Sequence, residues 1–210
     1  MPKDWKTAKI TPIFKKGKRA LAQNYRPISL TSQVCKVLER VVLKHIKSHL
    51  NENNIICKQQ HGFQEGRSCQ TNLFESLELW TRWLDDGNAV DIAYLDFEKA
   101  FDKVPHSRLI KKLGAYGIRG STLDWIKNFL SDRTQHVEVG MSSSSTAVVL
   151  SGVPQGSVLG PTLFSMYINE LPQIVKSECR LFADDTKLFK KIKSDNDISS
   201  IQEDIDKLLD

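Results

Sequence analysis

Two adjacent aspartates, Asp184 and Asp185, stand between short β-compatible runs in Phe182-Ala183-Asp184-Asp185-Thr186. Residues 179–182 and 186–192 read as the strands of a hairpin, with residues 183–185 at its turn. Carboxylates this close repel one another and favour protonation unless a hard, oxygen-seeking cation such as Mg²⁺ neutralises them. A third acid, Asp96, falls near the end of Asp91-Ile92-Ala93-Tyr94-Leu95-Asp96-Phe97, a largely apolar run that reads as a buried strand. A strand-end aspartate with a hairpin pair is the set that holds two divalent ions about 3.5–4 Å apart, clamping the attacking and leaving oxygens of an in-line phosphoryl displacement. Each acid taken singly has a plain structural explanation, because aspartate favours turns and Asp96 could pair with Lys99 or Lys103. Their combination points to nucleotidyl transfer.

Further blocks supply groups suited to a nucleotide. Arg26, in Asn24-Tyr25-Arg26-Pro27-Ile28-Ser29-Leu30, carries a guanidinium able to grip a triphosphate bidentately, and Lys16 or Lys18 of the preceding basic run could add a second cation. His61-Gly62-Phe63-Gln64-Glu65-Gly66-Arg67-Ser68-Cys69 reads as a loop where backbone approaches a nucleic-acid strand, an ordinary turn being the alternative. In Gly152-Val153-Pro154-Gln155-Gly156-Ser157-Val158-Leu159-Gly160, two glycines flank Pro-Gln before an apolar stretch, leaving Gln155 to meet a base or sugar. The lysine of a phosphate-binding P-loop is missing there.

These groups must be positioned by a soluble scaffold. A chain of 210 residues, 40% hydrophobic, suits one domain or one and a half, with a real core. No apolar stretch approaches the roughly 18 residues of a membrane span and the opening residues lack a signal-peptide core, so a cytoplasmic or nuclear, intracellular location without membrane contact is expected. Four dispersed cysteines show no zinc or disulfide spacing, and His45 and His49 read as ordinary helix-face residues. The net charge of +5 hides a polarity: residues 1–50 carry a net +10 and the other 160 carry −5. A basic end interleaved with Trp5, Phe14 and Tyr25 is the footprint of a nucleic-acid or nucleotide groove, although a solvated basic face has the same composition. Residues 9–14 read as an edge strand, and residues 136–139 and 147–150 as a hairpin around the serine run 142–145. A helix capped at Thr31 or Ser32 would bury Val34, Val37, Leu38, Val41, Val42 and Ile46. A second, ending at residues 85–88, would bury Leu73, Phe74, Leu77, Trp80 and Leu84. Shorter helices are expected over residues 106–113, over 122–130 behind a Ser121 cap, and over 158–171. A last apolar stripe, from Ile198 to Leu209, reads as a helix awaiting partners.

Taken in chain order, the blocks at residues 24–30, 61–69, 93–102, 152–160 and 182–185 resemble the reverse transcriptase domain of non-LTR retrotransposons of the jockey-like and related groups. The resemblance covers nearly the whole chain. It implies an α+β fold, a right-hand polymerase with fingers and palm, the palm being a small antiparallel sheet backed by helices. Residues 1–89 would be mainly fingers, 90–195 mainly palm with a fingers-side insertion, and 196–210 the start of an incomplete helix. It also implies RNA-directed DNA polymerase activity, the attack of a primer 3′-hydroxyl on a deoxynucleoside triphosphate paired to an RNA or DNA template. Asp96, Asp184 and Asp185 match the catalytic, metal-holding triad for two Mg²⁺ ions, with Mn²⁺ as the alternative. Phe101 matches the aromatic gate under the incoming sugar, Arg26 a triphosphate-gripping residue, and Gln155 with Gly156 the motif along the incoming nucleotide. Family members carry an upstream endonuclease and a downstream lysine motif, primer grip and thumb; with the thumb absent, the isolated chain is expected to bind primer-template weakly and to be slow or inactive. Rival readings are a non-catalytic nucleic-acid-binding remnant and a group II intron type of reverse transcriptase.

Overall fold

Alternating β-branched and polar runs build two small sheets, and helices pack beside them. The computed structural model describes residues 1–209. In chain order the elements are α1 (Lys3–Lys6), β1 (Thr7–Phe14), a 3₁₀ turn (Ala22–Asn24), β2 (Tyr25–Leu30), α2 (Gln33–Glu52), α3 (Cys69–Asp85) and β3 (Ala89–Leu95). There follow α4 (His106–Ala115), α5 (Gly120–Leu130), β4 (Arg133–Val139), β5 (Ser142–Ser143), β6 (Ala147–Val149), α6 (Gly160–Tyr167), α7 (Leu171–Ile174), β7 (Glu178–Phe182), β8 (Asp185–Ile192) and α8 (Asp195–Leu209). The chain forms two units, each built from two segments: residues 1–53 with 99–164, and residues 54–98 with 165–210.

The first unit holds a sheet in the order β2-β1-β4, with β5 and β6 both paired antiparallel to β4. β1 is therefore an interior strand, antiparallel to β2 and parallel to β4, and not the edge that its length and basic flank suggest. Ala8 and Ile10 face the core of this unit together with Ile46, Leu50, Leu109, Ile126 and Phe129. Helix α2 begins as expected, with Ser32 Oγ accepting from the Cys35 N–H. Its buried face, however, is Cys35, Glu39, Ile46 and Leu50, while Val34, Val37 and Val41 are exposed. The valine spacing fits one face of a helix, but a buried glutamate occupies the stripe that packs. Glu39 is fully buried because its Oε2 accepts from the Val158 and Leu159 N–H groups (2.7 and 3.0 Å), just ahead of α6. Helix α5 starts at Gly120 behind Arg119, so Ser121 lies inside it and caps nothing.

The second unit contains the antiparallel sheet β3-β8-β7. One face, formed by Cys179, Leu181 and Leu188 with Ala93 and Leu95, packs against Ile168, Leu171, Val175, Ile205 and Leu208. The closing stripe of α8 is thus docked on the sheet, with Ile201 buried and only its ends, Ile198 and Leu209, exposed. On the other face Trp80 and Trp83 of α3 meet Phe189 at ring-centroid distances of 5.4 and 5.9 Å. The buried residues of α3 are Asn72 and Ser76, not Leu73, Phe74, Leu77 and Leu84, which are exposed. Small polar side chains allow this helix to approach the sheet closely, and their hydrogen bonds close locally: Asn72 Nδ2 donates to the Leu181 carbonyl (3.1 Å) and Ser76 Oγ to the Asn72 carbonyl (2.8 Å). β3 is an edge strand with no fully buried residue, since it pairs only with β8; the buried strand expected there is instead the central β8.

Candidate active site

The three aspartates are gathered by the sheet of the second unit. β7 and β8 pair through Phe182 and Asp185, so the two-residue turn is Ala183-Asp184 and Asp185 is already the first residue of β8. Ala183 takes φ +55°, the sign that tight hairpin turns demand at this position. β3 pairs with β8 as far as Leu95 opposite Thr186, so Asp96 and Asp185 are the next residues beyond that last pair, at one end of the sheet. On β8, Asp185 shares the face of Lys187, opposite the face packed on α8, and Asp184 stands in the adjoining turn. Asp96 and Asp185 are exposed and Asp184 is half-buried.

The chemistry of this donor set suits a hard divalent cation: three carboxylates, all oxygen, at one end of the sheet and its adjoining turn. Among the described residues, no three His, Cys, Asp or Glu side chains stand close enough together to hold a metal ion. Nearby, the Lys187 ammonium lies over the Trp80 ring, 5.1 Å from its centroid, and burial with the neighbouring Arg180 charge pushes its pKa down.

Phe101, Gln155 and Gly156 belong to the first unit, where the loop 151–156 is stitched to residues 101–106. Val153 N–H donates to the Phe101 carbonyl and Gly152 N–H to that of Val104, each at 2.8 Å. Ser151 Oγ donates to the Asp102 carbonyl and His106 Nε2 to that of Gly152, again at 2.8 Å. The Phe101 ring stacks on Phe164 at 4.3 Å, so it is a packed and half-buried ring. Gln155 Nε2 donates to Asp102 Oδ1 (3.1 Å), a tether that fixes which end of the amide faces outward. Gly156, at φ +109°, comes so close to β2 that an added Cβ would lie 2.6 Å from the Ser29 carbonyl oxygen. Ser29, Arg133, Asp102 and Gln155 help line a cavity of about 380 Å³ in this unit. Arg133 is fully buried there, donating to the Phe129 carbonyl (3.0 Å) and stacking on the Phe129 ring, while burial lowers its pKa. Arg26 does not join this group: paired with Ile13, it lies with that residue on the opposite face of the sheet from Ser29 and Ile10, exposed to solvent. Lys16 is exposed in the connection between β1 and β2.

Asp102 and Arg133 escape sequence reading, as does Gln60, whose side chain binds the Ala183 backbone. Gln60 and Asp102 work through contacts with Ala183 and Gln155, far along the chain, and a single glutamine, aspartate or arginine has no local signature.

A model of the reverse transcriptase (RNA-dependent DNA polymerase) domain matches residues 13–210. The chain belongs to the reverse transcriptase family. Its relatives include the RNA-directed DNA polymerase from mobile element jockey of Drosophila melanogaster, 33% identical over 202 residues, or 92% of this chain and 22% of that protein. The probable RNA-directed DNA polymerase from transposon BS of the same fly is 35% identical over 178 residues, 81% of this chain and 19% of that protein. The reverse transcriptase chain described here thus spans about a fifth of the length of these relatives. Among solved structures, apo telomerase from Candida tropicalis superposes with a TM-score of 0.69 at 11% identity, covering 96% of this chain and 42% of that one. Telomerase from Candida albicans, in complex with a fragment of telomeric RNA, gives 0.68 at 13%, covering 98% and 40%. At such identities the likeness establishes the fold, that of a right-hand polymerase. Among the described residues, no helix of this chain is long and apolar enough to cross a membrane.

Proposed function

We propose that this chain supplies the nucleotidyl-transfer core of an RNA-directed DNA polymerase of a non-LTR retrotransposon, extending a primer 3′-hydroxyl with deoxynucleotides on an RNA or DNA template. The observation that supports this reading is the pairing of β3 with β8, which ends at Leu95 opposite Thr186 and so leaves Asp96 and Asp185 at the same end of the sheet, with Asp184 in the adjoining turn. The three carboxylates would hold two Mg²⁺ ions, or Mn²⁺, which when bound lower the pKa of the primer hydroxyl and neutralise the triphosphate. The rest falls to the chain. Phe101, backed by Phe164, meets the sugar of the incoming nucleotide and excludes a ribose 2′-hydroxyl by bulk. Gln155, oriented by Asp102, and the side-chain-free Gly156 lie along that nucleotide. Arg26 and Lys16, exposed on the β1–β2 hairpin, offer cationic donors to the triphosphate. The positive surplus in residues 1–50 suits the backbone of an A-form primer-template. In this assignment the β3-β8-β7 sheet is the palm and the β2-β1-β4 sheet belongs to the fingers.

The test is primer extension by a longer protein that carries the regions flanking this chain in its relatives. Asp184→Asn is expected to lower the extension rate by about a thousandfold or more, with primer-template affinity and melting temperature kept. Extension that survives the substitution refutes the assignment. An unsubstituted protein that binds primer-template yet incorporates nothing is instead a nucleic-acid-binding module.

A further inference from the structure

Gly62 lies in a loop whose sequence suggests close approach to nucleic acid, yet the backbone it approaches is the protein's own acidic turn. A Cβ at residue 62 would lie 2.1 Å from the Ala183 nitrogen. Beside it, the Gln60 side chain is buried, 1% exposed. Gln60 Oε1 accepts from the Gly62 N–H (2.7 Å) and from the Ala183 N–H (3.1 Å), while Nε2 reaches the Ala183 carbonyl at 3.5 Å. The backbone around it is bound to β7: His61 N–H donates to the Leu181 carbonyl and Leu181 N–H to the Gln59 carbonyl, both at 2.9 Å, forming a parallel bridge at Gln60 and Leu181. His61 is itself anchored, with Nδ1 2.8 Å from Thr71 Oγ1 at the start of α3.

Ala183 adopts a positive φ that residues with a side chain rarely take. Such a conformation persists only where its surroundings over-determine it, and a single buried amide touches both the N–H and the carbonyl of this residue. The next residue in the chain is Asp184. We propose that Gln60 is a positioning residue for the acidic turn, holding Ala183 in its left-handed conformation so that Asp184 leaves the turn where it can share a cation with Asp96 and Asp185. The purpose of the clamp rests on the polymerase reading; its existence does not.

Hydrogen exchange on the unaltered 210-residue chain tests the clamp directly. The Ala183 amide, at a hairpin turn, is expected to be protected to the level of the Leu181 amide in β7; exchange at the rate of a solvated turn overturns the proposal. Gln60→Met keeps the length of the side chain and removes the acceptor. In that variant, at a temperature where circular dichroism shows it folded, Ala183 exchange should quicken and Mn²⁺ affinity, read from the paramagnetic resonance of free Mn²⁺, should fall by about tenfold. Adding Ala183→Gly should restore most of the affinity, because glycine takes positive φ without help; a purely packing role for Gln60 predicts no such rescue. A folded Gln60→Met chain with unchanged Mn²⁺ affinity overturns the positioning role. Asp184→Asn is the control for the reading beneath it: if Mn²⁺ affinity ignores that substitution, the metal assignment of the turn fails, while the exchange rates still decide whether Gln60 clamps it.

Discussion

Gly152 shows how a single residue shapes the loop 151–156 of the first unit. Its φ is +89°, and a Cβ there would lie 2.7 Å from the Cα and carbonyl oxygen of Asp102. That approach is what allows the Gly152 and Val153 N–H groups to reach the carbonyls of Val104 and Phe101. Gly152→Ala must therefore adopt an unfavourable backbone and push Asp102 away, at a cost of about 3 kcal/mol. Denaturant unfolding should read this loss, and because Asp102 also tethers Gln155, the KM for deoxynucleotide should rise in an active longer protein. Cys35 and Cys179, by contrast, are buried structural thiols. Cys35, Cys57, Cys69 and Cys179 are all free, and burial with the nearby Glu39 charge pushes Cys35 up to about 11. Cys179 is raised to about 12, chiefly by burial.

At the scale of elements, α8 depends on an acid that its apolar stripe conceals. Asp204 is fully buried, and its Oδ2 accepts from the Lys176 and Ser177 N–H groups (2.9 and 2.7 Å) ahead of β7. Burial alone would push its pKa up; the hydrogen bonds from Lys176, Ser177 and Lys207 outweigh it and hold the carboxyl below its usual value. A group depressed by folding adds stability that is complete above its unfolded pKa, about 3.9, and that disappears as the pH falls through the lower, folded value. Asp204→Ala removes the acceptor of the Lys176 and Ser177 N–H groups, the latter buried, and should destabilise the second unit by about 2 kcal/mol at neutral pH. The difference from the unsubstituted chain should shrink in urea titrations carried below about pH 4. The same conflict between apolar pattern and true packing explains α2 and α3, whose buried faces include Glu39, Asn72 and Ser76 while valines, leucines and Phe74 are left outside.

For the molecule as a whole, charge is unevenly distributed, and under the proposed function its basic end would meet a polyanion. The +10 of residues 1–50 includes Lys15, Lys16 and Lys18, exposed in the connection between β1 and β2. Every phosphate that a lysine no longer neutralises takes slightly less than one from the slope of log affinity against log salt. Replacing these three lysines with alanine should flatten that slope by about two for an A-form primer-template, measured by fluorescence anisotropy over a salt series. An unchanged slope would move the phosphate-binding surface elsewhere on the chain.

The candidate site was legible from residue order because it depends on types at fixed places: a strand-end aspartate, a hairpin with paired acids, a phenylalanine five residues beyond that first aspartate and a glycine-flanked glutamine. Strand periodicity and turn composition are local, so the runs that became β3, β7 and β8 and the turn at Ala183-Asp184 could be found to within a residue or two. The register of β3 on β8, which ends with Leu95 opposite Thr186 and so brings Asp96 and Asp185 to the same end of one sheet, is a long-range pairing that no local pattern encodes. So are the burial of Glu39, the place of β1 inside its sheet and the grip of Gln60 on Ala183. A buried polar group is stable only when distant partners satisfy it, and those partners come together only once the chain has folded.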